Sequence, residues 1–160
     1  MAKFEVGKGL DDYIALLGNL EFQTEPIIGR SIYQGAAIIA DAIRQNIEAL
    51  PVQHGSAKRG QRRNPTQVEK DGMLAGLGVA GMKDDNGYFN VKIGMDGYND
   101  HVTEKYPRGH ANSMVARTIE NGNTYMNRIP FISRAVKAKK DAAEDAMKKE
   151  LEEQMSKIMK

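Results

Sequence analysis

VARTIENGNTYMNRIPFISRAV, residues 115 to 136, joins a short helical run to the start of a long one, and the rest of the chain can be read outward from it. It begins with a short apolar-periodic run, Val115 and Ile119, and breaks at Asn121-Gly122-Asn123, a cluster that punctuates structure instead of propagating it. Ser113 stands where it could cap this short helix, and Gly122 stands where it would end it. Pro130 then presets the backbone for a first helical position, and Phe131, Ala135, Ala138 and Ala142 follow on one helical face. Pro130 and Phe131 are therefore expected to anchor a final helix, with Phe131 in the core.

Downstream, that face continues into Met147, Leu151, Met155 and Ile158, so the spacing predicts one helix over residues 130–159. At 1.5 Å per residue it would reach roughly 45 Å, more than a small domain needs. Its end is expected to project, offering the Met-rich stripe to another subunit. Lysines at 137, 139, 140, 148 and 149 alternate with acidic residues from Asp141 to Glu153, as suits a solvent face laced with intrahelical pairs.

Upstream, Tyr88 to Met95 alternates Phe89, Val91, Ile93 and Met95 against polar or small residues, the period of a half-buried strand. Leu77 to Met82 is a second, glycine-rich strand, and Asp84-Asp85-Asn86-Gly87 between them favours the positive φ of a tight hairpin. Residues 96–111 are polar and irregular, holding Gly97, Pro107 and Gly109, and read as an exposed loop. Two earlier helices are expected. One carries Leu10, Ile14, Leu17 and Leu20 on one face; the other starts at Thr24, holds Ile28, Ile32, Ala36, Ile39, Ile43, Ile47 and Leu50, and stops at Pro51. Within it Gly35-Ala36-Ala37 would permit another backbone to approach closely. The expected fold is one α+β domain over 1–160, a β-hairpin or meander packed on long helices.

Between these helices and strands, residues 53–70 lose all apolar periodicity and carry Lys58, Arg59, Arg62, Arg63 and Lys70 among Gly, Ser, Asn and Pro. Compact domains seldom hold a structureless loop beyond about 12–15 residues without a use for it. Cations without interleaved aromatics suit contact with DNA phosphate or an acidic neighbour, and this loop is expected to order only on assembly.

Composition narrows the classes. The 160 residues carry no cysteine, which excludes disulfides, thiolate metal sites and cysteine nucleophiles. A formal net charge of +2 means that any nucleic-acid affinity must come from local clustering. No apolar run approaches a membrane span, and MAKFEVGKG has no secretory core, so a cytoplasmic protein without membrane contact is expected. Gly76-x-Gly78-x-x-Gly81 has dinucleotide spacing but precedes a hairpin, not the helix that a pyrophosphate needs. His101 and His110 with Asp96, Asp100 and Glu104 follow no metal-ligand spacing. Neither a nucleophile elbow nor a zinc-protease signature is present. The residues thus point away from an enzyme and from any metal or cofactor, and toward a chain built to assemble.

Taken in order, several motifs resemble the neck family of long-tailed bacteriophages, the "gene-ten-like" head-tail joining or tail-completion proteins. They are Gly9-Leu10-Asp11, the Ile-rich helix, a Gly-Met-Leu step before the hairpin, Glu120-x-Gly122-x-Thr124, and Pro130-Phe131-Ile132-x-x-Ala135. Relatives often show Thr-Gly-x-Leu where this chain has Asp71-Gly72-Met73-Leu74. The resemblance implies a structural virion protein that completes the tail and joins it to the head. It would act as a homo-oligomeric ring, expected to hold six copies, around the DNA channel, in contact with other neck and tail proteins and with the DNA backbone. Assembly would take place in the host bacterial cytoplasm. The alternatives are a tail terminator capping the tail tube and a non-sequence-specific DNA-binding protein.

Overall fold

The computed structural model describes residues 2–5 and 24–158. The helix expected from Leu10, Ile14, Leu17 and Leu20 lies outside the described residues. The fold is α+β. Strand β1 (Ala2–Glu5) precedes helix α1 (Thr24–Glu48), followed by α2 (Gln67–Gly76), β2 (Leu77–Val79), β3 (Lys83–Asp85), β4 (Tyr88–Met95), α3 (Asn112–Asn121) and α4 (Phe131–Ile158).

Strand β4 is the centre of an antiparallel sheet. β1 lies along one edge with Ala2 opposite Ile93 and Glu5 opposite Asn90, and β2 and β3 share the other edge. The hairpin turn falls at Asn86 (φ 57°) and Gly87 (φ 89°), the positive pair that a two-residue hairpin demands. Val79 faces Ile93 but Lys83 faces Asn90, so one strand takes an extra residue and bulges at Gly81-Met82. The Tyr33 hydroxyl of α1 serves that bulge, accepting from the Met82 amide at 2.7 Å and lying 3.4 Å from the Ala80 carbonyl. Bulge backbone that β4 cannot satisfy is thereby satisfied from a helix.

Helix α1 is the spine. The face carrying Ile28, Ile32, Ala36, Ile39, Ile43 and Ile47 is buried. A second line of small or polar residues on α1, Ser31, Gly35 and Asn46, receives α4. The Ser31 hydroxyl donates to the Met147 carbonyl at 2.8 Å, Asn46 Nδ2 donates to the Phe131 carbonyl at 2.9 Å, and Arg30 reaches Gln154. The start of α4 therefore meets the end of α1, and the two helices run antiparallel. A Cβ at Gly35 would stand 2.7 Å from Met147 Cγ and 3.2 Å from the Ala143 carbonyl, so glycine sets how close the helices come.

This corrects the expectation of a projecting arm. With 25 residues in α1 and 28 in α4, the final helix has a partner nearly its own length and lies along it. Met147, Leu151 and Met155 are buried within the chain, and Ile158 packs half-buried beside them. The stripe that sequence periodicity offers to another subunit is covered by α1. The buried alanines also differ: Ala135 and Ala143 are inside, whereas Ala138 and Ala142 are exposed, because α4 presents residues to α1 at a strict spacing of four.

Helix α2 corrects the expected extent of the basic loop, whose last four residues are helical. Thr66 and Glu69 form a reciprocal capping box: the Glu69 amide donates to Thr66 Oγ1 and the Thr66 amide donates to Glu69 Oε2. On α2, Gly72 and Gly76 face the chain after β4. A Cβ at Gly76 would stand 2.2 Å from the Asp96 carbonyl, and one at Gly72 would stand 2.5 Å from Asn112 Oδ1. The glycine shared with the Thr-Gly-x-Leu pattern is thus a place of close approach.

The loop of residues 96–111 is organised around buried Asn99, whose Oδ1 accepts from the amides of His101 and His110 at 3.1 and 3.0 Å. Helix α3 starts at Asn112, one residue before the expected cap Ser113, and Ala111 holds the cap position without a side-chain bond. Asn112 Nδ2 instead donates to the Asp96 carbonyl at 2.8 Å and ties the helix start to the end of β4.

The joint between α3 and α4 explains the opening stretch. Gly122 closes α3 at φ 69°, against Arg128, where a Cβ would stand 2.8 Å from that residue's own. Pro130 precedes the helix rather than starting it, and its carbonyl accepts the first helical bond, from Arg134. Proline brings no capping side chain. Glu120 supplies one from α3: its carboxylate accepts from the amides of Ile132 and Ser133 at 2.8 and 3.0 Å, and from the Ser133 hydroxyl. A carboxylate there also meets the positive end of the α4 dipole.

Phe131 is buried, as its place on the apolar face leads one to expect, so Phe131→Ala should cost about 3–5 kcal/mol of unfolding free energy. Deleting residues 151–160 removes Leu151 and Met155 from the core, and a loss of at least about 3 kcal/mol is expected in urea unfolding. Retained stability in the truncated chain would restore the projecting arm. Glu120→Ala should cost about 1–2 kcal/mol through removal of the cap, read by the same measurement.

A candidate basic contact surface

Residues 53–66 leave α1 and return to α2 as a loop tied at its base. The Gln53 amide donates to the Pro65 carbonyl at 2.7 Å, and Gln53 Oε1 accepts from the Asn64 amide at 3.2 Å. Its tip turns at Lys58 to Gln61, with Gly60 at φ 81° and the Gln61 amide donating to the Lys58 carbonyl at 2.9 Å. Near the base a second segment joins it: the Arg63 amide donates to the Tyr125 carbonyl and the Asn127 amide to the Arg63 carbonyl, pairing Arg63 with Met126 as parallel neighbours. Asn127 Nδ2 donates to Asn64 Oδ1 at 2.9 Å alongside. Asn123 Oδ1 holds this second segment in shape by accepting from the amides of Tyr125 and Met126.

The five cations of the sequence separate into two groups. Arg63 turns inward and meets Glu69 as a fork, with both N–O distances at 2.7 Å. Lys70 reaches from α2 to the carbonyls of Glu48 and Leu50, where α1 ends without a basic residue of its own. Both are spent on holding α1, α2 and the 123–128 segment together. Lys58, Arg59 and Arg62 remain exposed, and among the described residues no carboxylate pairs with them.

The fold adds residues that sequence alone does not place here. Extended neighbours alternate in facing, so the outward partner of Arg62 across the bridge is Tyr125, which is 76% exposed, while Met126 points into the core. Arg128 is exposed on the same segment, as is Thr124. Arg62 and Tyr125 thus share one outward face, continued by the exposed Lys58 and Arg59 at the loop tip. Such a surface can hold phosphate oxygens by charge and by hydrogen bonds from arginine and the phenol. Nothing in the residue pattern near Tyr125 announces this, because the juxtaposition depends on a bridge between distant segments.

The other polar positions lie elsewhere. His101 and His110 have ring centroids 5.4 Å apart, with Tyr106 4.4 Å from His110, and among the described residues no group of three His, Asp or Glu side chains is placed to hold a metal. Gly76 ends a helix, Gly78 sits in β2 and Gly81 in the bulge. No helix among the described residues is long and apolar enough to cross a membrane. No family model, curated protein or solved structure matches the chain.

Burial by itself pushes the Glu69 carboxyl up, but the Arg63 fork and the Thr66 amide and hydroxyl outweigh it and hold its pKa below the ordinary glutamate value. The depressed folded value means that its stabilisation is complete above the unfolded pKa of about 4.5 and disappears as pH falls through the lower folded value. Glu69→Gln should therefore be less stable than the parent at neutral pH, and the gap should close as the pH is taken well below 4.5. A gap that persists unchanged in acid would refute the ion pair's role.

Proposed function

We propose that this chain is a structural subunit of a bacteriophage neck, completing the tail and joining it to the head as a ring around the DNA channel. The observation that carries the reading is the exposed loop tip of Lys58, Arg59 and Arg62 with Tyr125 beside it, apart from the cations used in folding. A ring would repeat that surface around one axis, so contacts too weak to hold DNA singly would grip or guide it together, without reading its sequence. The motif resemblance supports the same reading: Glu120, Gly122, Pro130 and Phe131 form the joint that sets the two last helices. The protein would work in the virion, beside other neck and tail proteins, as a ring of six copies. The same surface favours a second reading, a non-sequence-specific DNA-binding protein acting without a ring.

Cryo-EM of the purified chain, concentrated at low salt, separates the two. Closed rings with the 58–62 tip lining the lumen are expected; monomers that coat duplex DNA would favour the second reading. Lys58→Ser, Arg59→Ser and Arg62→Ser together should leave the melting temperature unchanged and weaken duplex DNA binding. The slope of log affinity against log salt should fall by up to about 0.9 for each phosphate that is no longer neutralised. Arg63→Ser should instead lower the melting temperature, because its guanidinium is held by Glu69.

A further inference from the structure

The hairpin tip is exposed along its length. Lys83 to Tyr88 are all exposed, and Tyr88, at 78%, is the most exposed large apolar side chain among the described residues. The tip is nonetheless internally hydrogen-bonded. Asp84 Oδ1 accepts from the Gly87 amide at 2.6 Å, Asp85 Oδ2 accepts from Asn90 Nδ2 at 2.8 Å, and the turn is fixed by its two positive φ angles. It presents two carboxylates and an aromatic ring, with Lys83 set back at its base.

A groove of about 480 Å³ runs between α3 and α4. Its floor is Ala116, Ile132 and Val136, and its rim carries Arg117, Lys137 and Ser133. Glu120 lies at its edge, but its carboxylate is engaged by the α4 amides. The groove thus offers apolar surface flanked by two cations, complementary in charge and character to the hairpin tip.

The two features lie at opposite ends of the domain. The hairpin bulge meets Tyr33 and Gly29 in the first half of α1, and β4 runs from the turn toward α2, where the Asp96 amide meets the Gly76 carbonyl. The groove opens where α4 starts, beside Asn46 near the end of α1. Roughly 20 Å of helix separates them, so a chain cannot place its own tip in its own groove.

We propose that the Asp84–Tyr88 tip of one copy docks in the α3–α4 groove of the next, with Tyr88 on the apolar floor and Asp84 and Asp85 facing Arg117 and Lys137. This rests on the ring reading and names the contact that would build the ring. A tip at one end and a groove at the other form a heterologous contact, which closes into a ring when the rotation per copy divides a full turn. Tyrosine seated in a groove with a charged rim is the usual make-up of an interface anchor.

The chain has no cysteine, which allows a direct test on the full-length protein. Tyr88→Cys combined with Val136→Cys should give a ladder of disulfide-linked dimers, trimers and higher species under mild oxidation, while either single variant gives at most dimers. In sedimentation, Asp84→Lys with Asp85→Lys, or Arg117→Glu with Lys137→Glu, should each weaken self-association by about tenfold or more, since like charges would then face one another. Mixing the two reversed variants, or combining all four changes in one chain, should restore it. Circular dichroism of each variant guards against misfolding, and the mixing arm separates charge matching from general damage. Rings that form without the ladder and without sensitivity to charge reversal would overturn this contact and leave the ring reading standing. A parent chain that neither associates at the highest attainable concentration nor cross-links in the double-cysteine form would overturn both.

Discussion

Gly35 lets α1 and α4 approach closely enough for the Ala143 carbonyl and Met147 to rest where a side chain would stand, and the other elements are arranged around that pair. Helices of 25 and 28 residues come this close only where small side chains line the contact, and Ser31, Gly35 and Ala143 supply them. Their closeness lets the Ser31 hydroxyl reach the Met147 carbonyl and leaves the other face of α1 free to bury its isoleucines. One helix thereby serves two layers, with the sheet meeting it through Tyr33 and the bulge, and α4 meeting it through glycine and methionine.

Polar groups fix how the smaller elements attach to that pair. Glu120 caps α4 from α3, Lys70 caps α1 from α2, and Arg63 and Glu69 bind the loop base to α2. In the first two cases a helix end lacks a partner of its own, and a side chain from a neighbouring segment provides it; at α2 the helix caps itself through Thr66 and Glu69, and Arg63 adds the loop to that cap. Unpaired amides and carbonyls at helix ends are costly when shielded from water, so these contacts fix orientation as well as adding stability. The ends of α1, α2, α3 and α4 are therefore set relative to one another by hydrogen bonds, and the core fills the space between.

This division of labour also sorts the surface. Cations near helix ends are drawn into the fold, and those at the 58–62 tip are left outside with Tyr125. The exposed tip of the β3–β4 hairpin is left outside in the same way, held by its own aspartates rather than by contact with the helices. What the core does not need is concentrated in a few chemically distinct patches.

Elements whose cause is local are legible in the residues alone. The isoleucine period of α1, the Asn86-Gly87 turn, the alternation of β4, the stop at Gly122 and the burial of Phe131 follow from backbone preference and spacing, and they are found in place. Helix α2 had a local signal too, the Thr66-x-x-Glu69 capping box, but its two glycines and weak apolar period hid it. Contacts between distant segments are not legible in this way. Periodicity shows that Met147, Leu151 and Met155 share a face but not what covers it, since an apolar stripe has the same pattern whether its partner is in the same chain or another. Likewise, charge alone cannot tell Arg63 from Arg62. Their difference is the inward and outward alternation of an extended segment, fixed only when Met126 pairs with Arg63 and turns one arginine to Glu69 and the other to solvent.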